Sequence, residues 1–153
     1  QGGETLSRPQ MLFDTLDAMK TERFYVYVTT NGWYMTQDIA NKLASAGVNR
    51  VSVSIDSMDE ETHDKFRGKK GSWKRGLNAL EMVQKAGMSP YLNITVGHYN
   101  AKSEDIKLLL EYSKDKRYTT LLNVATPGGM WAKMSEIMVD ESDKAYLIDM
   151  RKK

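Results

Sequence analysis

The chain has 153 residues, 41% of them hydrophobic and 27% charged, with a formal net charge of +2. That length and usage suit one domain with a buried core, and the near-neutral balance gives no case for nucleic acid. No apolar run reaches the ~20 residues of a membrane span, and zero cysteine excludes disulfides and thiolate metal sites, as expected for a cytoplasmic protein.

In chain order, Gly2-Gly3-Glu4 opens the sequence and Ser7 with Pro9 predicts a helix start, since proline costs nothing in a first turn. Leu12, Leu16 and Met19 follow at helical spacing. Residues 24–29 are aromatic and β-branched and predict the first strand. Thr36 caps the next helix, Ile39 and Leu43 share its inner face, and Gly47 ends it. Residues 51–55 form the second strand. Ser72 caps a helix carrying Trp73, Leu77, Leu80 and Val83, which Gly87 ends. Residues 91–96 are the third strand, and Ser103 caps a helix with Glu104 and Asp105 in its positive first turn. Residues 120–125 are the fourth strand, Pro127-Gly128-Gly129 breaks the chain, and an amphipathic helix covers 140–150. The basic end Arg151-Lys152-Lys153 reads as a solvated helix terminus.

Strands alternating with helices of this length imply right-handed crossovers, hence an α/β fold with a parallel sheet and flanking helices. A complete barrel of this kind needs about 250 residues. Gly2-Gly3-Glu4 has no strand before it, and the chain starts at Gln1. The expectation is therefore the inner portion of a larger barrel or half-barrel, with an unpaired, apolar first edge that promotes association of the isolated chain.

Ligands gather where parallel strands end, and three motifs fall there. Gly2-Gly3-Glu4 lets backbone approach a ligand and offers a carboxylate to an ammonium, or is a tight turn with an exposed Glu. Thr29-Thr30-Asn31-Gly32 offers hydroxyl and amide groups at a turn, or is a plain βα loop. In the second strand Ser52, Ser54 and Asp56 share one face, opposite Val51, Val53 and Ile55. Polar groups in that position need a ligand or each other, although Asp56 also suits a turn cap. Further along, His63 reads as a surface residue and Arg67 as a guanidinium able to hold a carboxylate. In the third strand Asn93 and Thr95 share a face. His98 reads as a satisfied loop histidine or a general base. The ten methionines are scattered core filler. Nothing marks a metal ligand set or a definite catalytic residue.

Gly2-Gly3-Glu4, Thr30-Asn31-Gly32, Val53-Ser54-Ile55-Asp56, His63-Asp64, Arg67-Gly68, Gly71-Ser72-Trp73 and then Gly87 before a strand with Asn93 form a series. In this order it resembles the radical SAM superfamily across nearly the whole chain. The resemblance implies a partial (β/α) barrel in which residues 1–153 are a partial core domain. It implies that Gly2, Gly3 and Glu4 bind the methionyl amino group of S-adenosylmethionine. Ser54 and Arg67, with Thr30 and Asn31 nearby, would lie near its ribose or carboxylate. Asp56 is a further candidate, Asn93 and Thr95 would face the same cavity, and residues 124–128 would lie near the adenine.

The family's Cys-x3-Cys-x2-Cys loop, which ligates a [4Fe–4S] cluster, is absent and is expected upstream; a cysteine-rich SPASM extension is expected downstream. The implied activity is reductive cleavage of S-adenosylmethionine to a 5′-deoxyadenosyl radical that abstracts hydrogen. The implied partners are a small-molecule or peptide substrate, in haem-pathway chemistry or peptide and protein maturation, and a reductant such as a flavodoxin or ferredoxin. These residues alone are expected to be inactive. Two other readings stay open: an ordinary (β/α)-barrel enzyme, disfavoured because no Schiff-base lysine or phosphate loop is evident, and a cluster-free module that binds S-adenosylmethionine or serves as a scaffold.

Overall fold

Apolar side chains at alternate positions on one side of the strands, and amphipathic helices between them, fix the architecture. The computed structural model describes residues 3–126 and 137–150. Its strands are β1 (Val26–Thr30), β2 (Val48–Ser54), β3 (Ser89–Val96) and β4 (Thr119–Val124). All pair in parallel, in the order β1-β2-β3-β4. The helices are α1 (Pro9–Ala18), α2 (Gln37–Ser45), α3 (Glu60–Arg67), α4 (Ser72–Lys85), α5 (Glu104–Lys116) and α6 (Glu141–Met150). This is the α/β arrangement expected, a parallel sheet with flanking helices.

One face of the sheet carries Val28, Val51, Val53, Ile55, Leu92 and Ile94, which join Leu43, Leu80, Val83, Ile106 and Leu109 in a single buried core. The other face carries Tyr27, Arg50, Ser52, Ser54, Tyr91, Asn93 and Thr95, which the strand register places side by side. Near the N-terminal ends of the strands, the Arg50 guanidinium lies 4.5 Å from the ring centres of both Tyr25 and Tyr91. Its Nε donates to the Tyr25 hydroxyl at 3.2 Å. Among the described residues, β1 pairs only with β2, and Phe24, Tyr25 and Tyr27 are exposed beside that edge.

Several boundaries differ from the sequence expectation. Ser7 does not start α1; it closes a short 3-10 turn, Thr5–Ser7, capped by the Glu4 carboxylate, which accepts from Leu6 N at 3.0 Å. Ser72 does not cap α4: Gly71 holds that position at φ 83°, and the cap is the distant Asp64 carboxylate, which accepts from Gly71 N, from Trp73 N at 2.9 Å and from Ser72 Oγ at 2.8 Å. Ser103 precedes α5 without a side-chain cap bond. Thr36 caps α2 as expected, accepting from Ile39 N at 3.2 Å. The expected chain break at Pro127 and the basic terminus lie outside the described residues.

The helix α6 is not the amphipathic element its pattern suggested; its one fully buried side chain is Asp143. It begins with a reciprocal cap, Asp143 N donating to Asp140 Oδ1 at 2.8 Å and Asp140 N to Asp143 Oδ2 at 3.1 Å. Asp143 also binds His98 Nδ1 at 2.7 Å and Lys102 Nζ at 3.2 Å. His98 is therefore a satisfied loop histidine that docks α6 onto the segment after β3.

The hydrogen bond from His98, with help from Asp140 N–H and Lys102, holds the Asp143 carboxyl at about 2, below its usual 3.8. A carboxylate whose folded pKa is depressed stabilises fully above its unfolded pKa and loses that contribution as pH falls through the folded one. Docking of α6 should therefore persist above pH 3.8 and fail as pH falls through about 2, read from amide exchange of residues 141–150. Gly32 supplies a second prediction. At φ 78°, a Cβ added there would lie 3.0 Å from both Ala79 Cβ and Gly76 Cα. Gly32→Ala should destabilise the chain by about 1–3 kcal/mol in urea unfolding, from left-handed strain plus contact with α4.

Candidate functional site

Glu4 organises the first part of the site. Its Oε1 accepts from Thr30 Oγ1 at 2.5 Å as well as from Leu6 N, and its Oε2 accepts from Asn31 N at 2.8 Å. Thr5 Oγ1 adds a bond to Thr29 O at 2.8 Å. The glycine-rich turn is thus fastened to the C-terminal end of β1. Three of the roughly four acceptor positions of that carboxylate are filled, which leaves room for one further donor. Gly3 is exposed at φ 86°; Gly2 lies outside the described residues. Asn31 shapes the turn, with Oδ1 accepting from Trp33 N at 2.9 Å.

Asp56 organises the second part. It is 5% exposed, just past the end of β2. Its Oδ1 accepts from Thr95 N at 3.0 Å and its Oδ2 pairs with Arg67 Nη2 at 2.5 Å. The carboxylate that Arg67 holds is therefore one of this chain's own. His63 is not a surface residue: it is 1% exposed, and its Nδ1 accepts from Asp56 N at 3.1 Å. Its position on the inner side of α3 buries it, although every flanking residue from 60 to 65 except Thr62 is charged. Burial, the strongest influence, pushes its pKa down; Asp56 raises it and Arg67 lowers it further.

Ser54, Asn93 and Asn123 form a third group, a polar ladder across β2, β3 and β4. Asn93 Nδ2 donates to Ser54 Oγ at 3.4 Å, and Asn123 Nδ2 to Asn93 Oδ1 at 2.5 Å. Thr95 stands one step further along the same face of β3. Among the described residues, the fully buried Ser52 hydroxyl has no hydrogen-bond partner, a group that a ligand or water on this face would satisfy. A cavity of ≈ 190 Å³ connects the parts, bringing Asn31, Ser54 and Arg67 together with Trp33, His63 and Lys69. Glu4, Thr30, Asp56, Asn93 and Thr95 do not line it, although Asp56 pairs with Arg67 and Asn93 bonds to Ser54, which do.

Four participants were not legible as such. Asp105 anchors the loop after β2 by accepting from Ser57 Oγ at 2.6 Å and Met58 N at 3.0 Å; in sequence it is an ordinary first-turn acid. Asp64 is the distant cap described above, and Asn123 is the last step of the ladder. Trp33 lies between two cations, with Lys69 Nζ 3.6 Å and Arg75 Cζ 4.4 Å from its ring centre; only contiguity with Thr30-Asn31-Gly32 pointed to it. His98, Asp140 and Asp143 also converge, with ligand atoms within 4.8 Å, but capping bonds and the Lys102 ammonium already engage them.

Asp56→Asn keeps the shape of the side chain but leaves Arg67 without its counter-charge. It should cost about 1–3 kcal/mol in urea unfolding, and Arg67→Gln in the same background should add little, because the two residues share one interaction.

Known proteins bear on this geometry. The radical SAM superfamily model matches residues 1–113. The AdoMet-dependent heme synthase of Methanosarcina barkeri is 40% identical over 114 residues, covering 74% of this chain and 32% of that protein. The GTP 3',8-cyclase of Microcystis aeruginosa is 33% identical over 114 residues, covering 71% of this chain and 34% of that protein. The chain thus spans about a third of the length of these relatives. By fold it superposes on a domain of pyruvate-formate lyase-activating enzyme from Bacteroides vulgatus with TM-score 0.72 at 19% identity, covering 97% of this chain and 91% of that one. It superposes on Streptococcus suis SuiB bound to S-adenosylmethionine with TM-score 0.79 at 16% identity, covering 99% and 34%. Among the described residues no helix is long and apolar enough to cross a membrane. A family match over most of the chain, on a four-stranded parallel sheet whose expected motifs meet at the strand ends, identifies the chain as a member of the radical SAM superfamily.

Proposed function

We propose that residues 1–153 are the S-adenosylmethionine-binding part of a radical SAM enzyme core, acting in a larger cytoplasmic protein. The observation that carries this reading is the Glu4 carboxylate tying its turn to Thr30 and Asn31, beside a cavity lined by Asn31, Ser54 and Arg67. The donor set fits one end of the cofactor. Glu4 and the turn backbone would receive the methionyl ammonium; Ser54 and Arg67 would receive the carboxylate. At ≈ 190 Å³ the cavity is smaller than the ~300–1,000 Å³ of a whole small-molecule pocket, so it takes this charged end. The remainder of the molecule would run along the polar inner face past Asn93 and Thr95, where Ser52 and the Asn123 amide offer further hydrogen bonds. When bound beside a cluster held by other residues, the cofactor would supply hydrogen-abstracting chemistry.

These residues do not fit the iron–sulfur cluster itself. The chain holds no cysteine, so thiolates for such a cluster would have to come from outside the 153 residues. What this chain's residues do is bind and orient. Asp56 fixes Arg67 from behind, and Glu4 fixes the turn against β1. The substrate class is a small molecule or a peptide, consistent with relatives named as a heme synthase and a GTP cyclase and with SuiB, a fold neighbour bound to its precursor peptide. A flavodoxin- or ferredoxin-type protein would supply the electron.

Equilibrium dialysis of the chain with S-adenosylmethionine tests the binding half. Arg67→Gln should weaken binding about tenfold, the effect of losing one hydrogen bond to a charged group. Wild-type affinity in that variant removes Arg67 from the site. For the full-length protein, anaerobic analysis should find about four iron per chain or more, and reduction with S-adenosylmethionine should yield 5′-deoxyadenosine. Neither iron nor cleavage there overturns the enzymatic reading.

A further inference from the structure

His63 has no role in the reading above, yet it is the most deeply buried ionisable side chain around the cavity, at 1% exposure. Its Nδ1 accepts from Asp56 N at 3.1 Å. An imidazole nitrogen that accepts a hydrogen bond is unprotonated, so the neutral ring carries its proton on Nε2. Burial favours that neutral form. The bond on Nδ1 is the ring's one hydrogen bond among the described residues, and the ring lines the cavity with Ser54 and Arg67. That Nε2–H is a donor that an acceptor in the cavity can meet. The other cavity-lining groups near it are chiefly donors: the Ser54 hydroxyl, the Arg67 guanidinium and the Lys69 ammonium. The nearby carboxylate of Asp56 is already taken by Arg67 and Thr95 N.

We infer that the Nε2–H of His63 donates to a carboxylate oxygen of the ligand that enters this cavity, which makes His63 a binding residue beside Ser54 and Arg67. The ligand's identity rests on the proposed S-adenosylmethionine site; the donor role follows from the tautomer and the cavity. His63 then has two faces. Nδ1 tethers α3 to the end of β2, and Nε2 reads the ligand.

Two substitutions separate these faces. His63→Asn keeps an amide oxygen where Nδ1 accepts and removes the donor at the reach of Nε2. His63→Gln places an amide donor at that reach and gives up the tether. The chain carrying 15N-labelled histidine is titrated with millimolar methionine and, separately, with S-adenosylmethionine, and binding is measured in parallel by equilibrium dialysis. The expected result is a shift of the His63 Nε2 resonance with both ligands and binding about tenfold weaker in His63→Asn, with its unfolding midpoint close to wild type and partial rescue of affinity in His63→Gln. A ligand that dialysis shows bound while Nε2 stays unmoved, or wild-type affinity in His63→Asn, overturns the inference and leaves the S-adenosylmethionine site standing. A shift with methionine but no binding of S-adenosylmethionine supports the donor role and removes that site assignment. Binding of neither ligand overturns both.

Discussion

The ion pair between Asp56 and Arg67, buried on the acid's side, is the constraint on which the rest of the site depends. A carboxylate 5% exposed is tolerated only when its oxygens are matched by charge and hydrogen bonds. Here one oxygen is matched by Arg67 from the end of α3 and the other by the amide of Thr95 in β3. The same residue's amide reaches His63. One residue thereby joins β2, β3 and α3 at the level where the cavity opens. Remove its charge, and the guanidinium loses its counter-ion, whereas the bond to His63 comes from the backbone and persists. The Glu4 carboxylate does the equivalent work one strand away, fastening its turn to Thr30 and Asn31.

The sheet divides its labour by face and by height. Toward the helices it is chiefly apolar, Thr30 and Thr120 excepted, and that side carries the core. The other face changes character along the strands, from the Arg50–tyrosine stack at the N-terminal ends to the Ser54–Asn93–Asn123 ladder and then the charged cluster at the C-terminal ends. The stack holds a part-exposed cation against aromatic faces at one end. The ladder keeps the middle polar without placing a net charge there.

Much of this was legible in sequence, for local reasons. Strands and helices follow from alternation and periodicity; Thr30 stands out in a strand-end turn, and period 2 places Ser54 with Ser52 on one face of β2 and Asn93 with Thr95 on one face of β3. The failures share a cause, which is dependence on contacts far away along the chain. His63 lies in a run of charged residues that reads as surface, yet α3 turns that one side chain inward beneath the end of β2. Ser72 looks like a helix cap, yet Asp64, seven residues before Gly71, is better placed to receive the free amides. Asp105 reads as a dipole-stabilising acid but is spent on Ser57 and Met58. Arg67 was recognised as a carboxylate clamp, and what pattern could not reveal was that Asp56 competes for it. Strands identify themselves, whereas side-chain partnerships between loops do not.

The strand order has a consequence of its own. Each strand pairs with the one that precedes or follows it in sequence, and no strand is inserted between earlier neighbours. The loops that must close during folding span one helix between β1 and β2 and between β3 and β4, and two, α3 and α4, between β2 and β3, so each closure is that of a local crossover. A sheet assembled this way has a growing front at either side. It can gain or shed a strand-and-helix unit without rethreading those already in place, and neighbouring units of a longer polypeptide can add to it in succession as they emerge during synthesis.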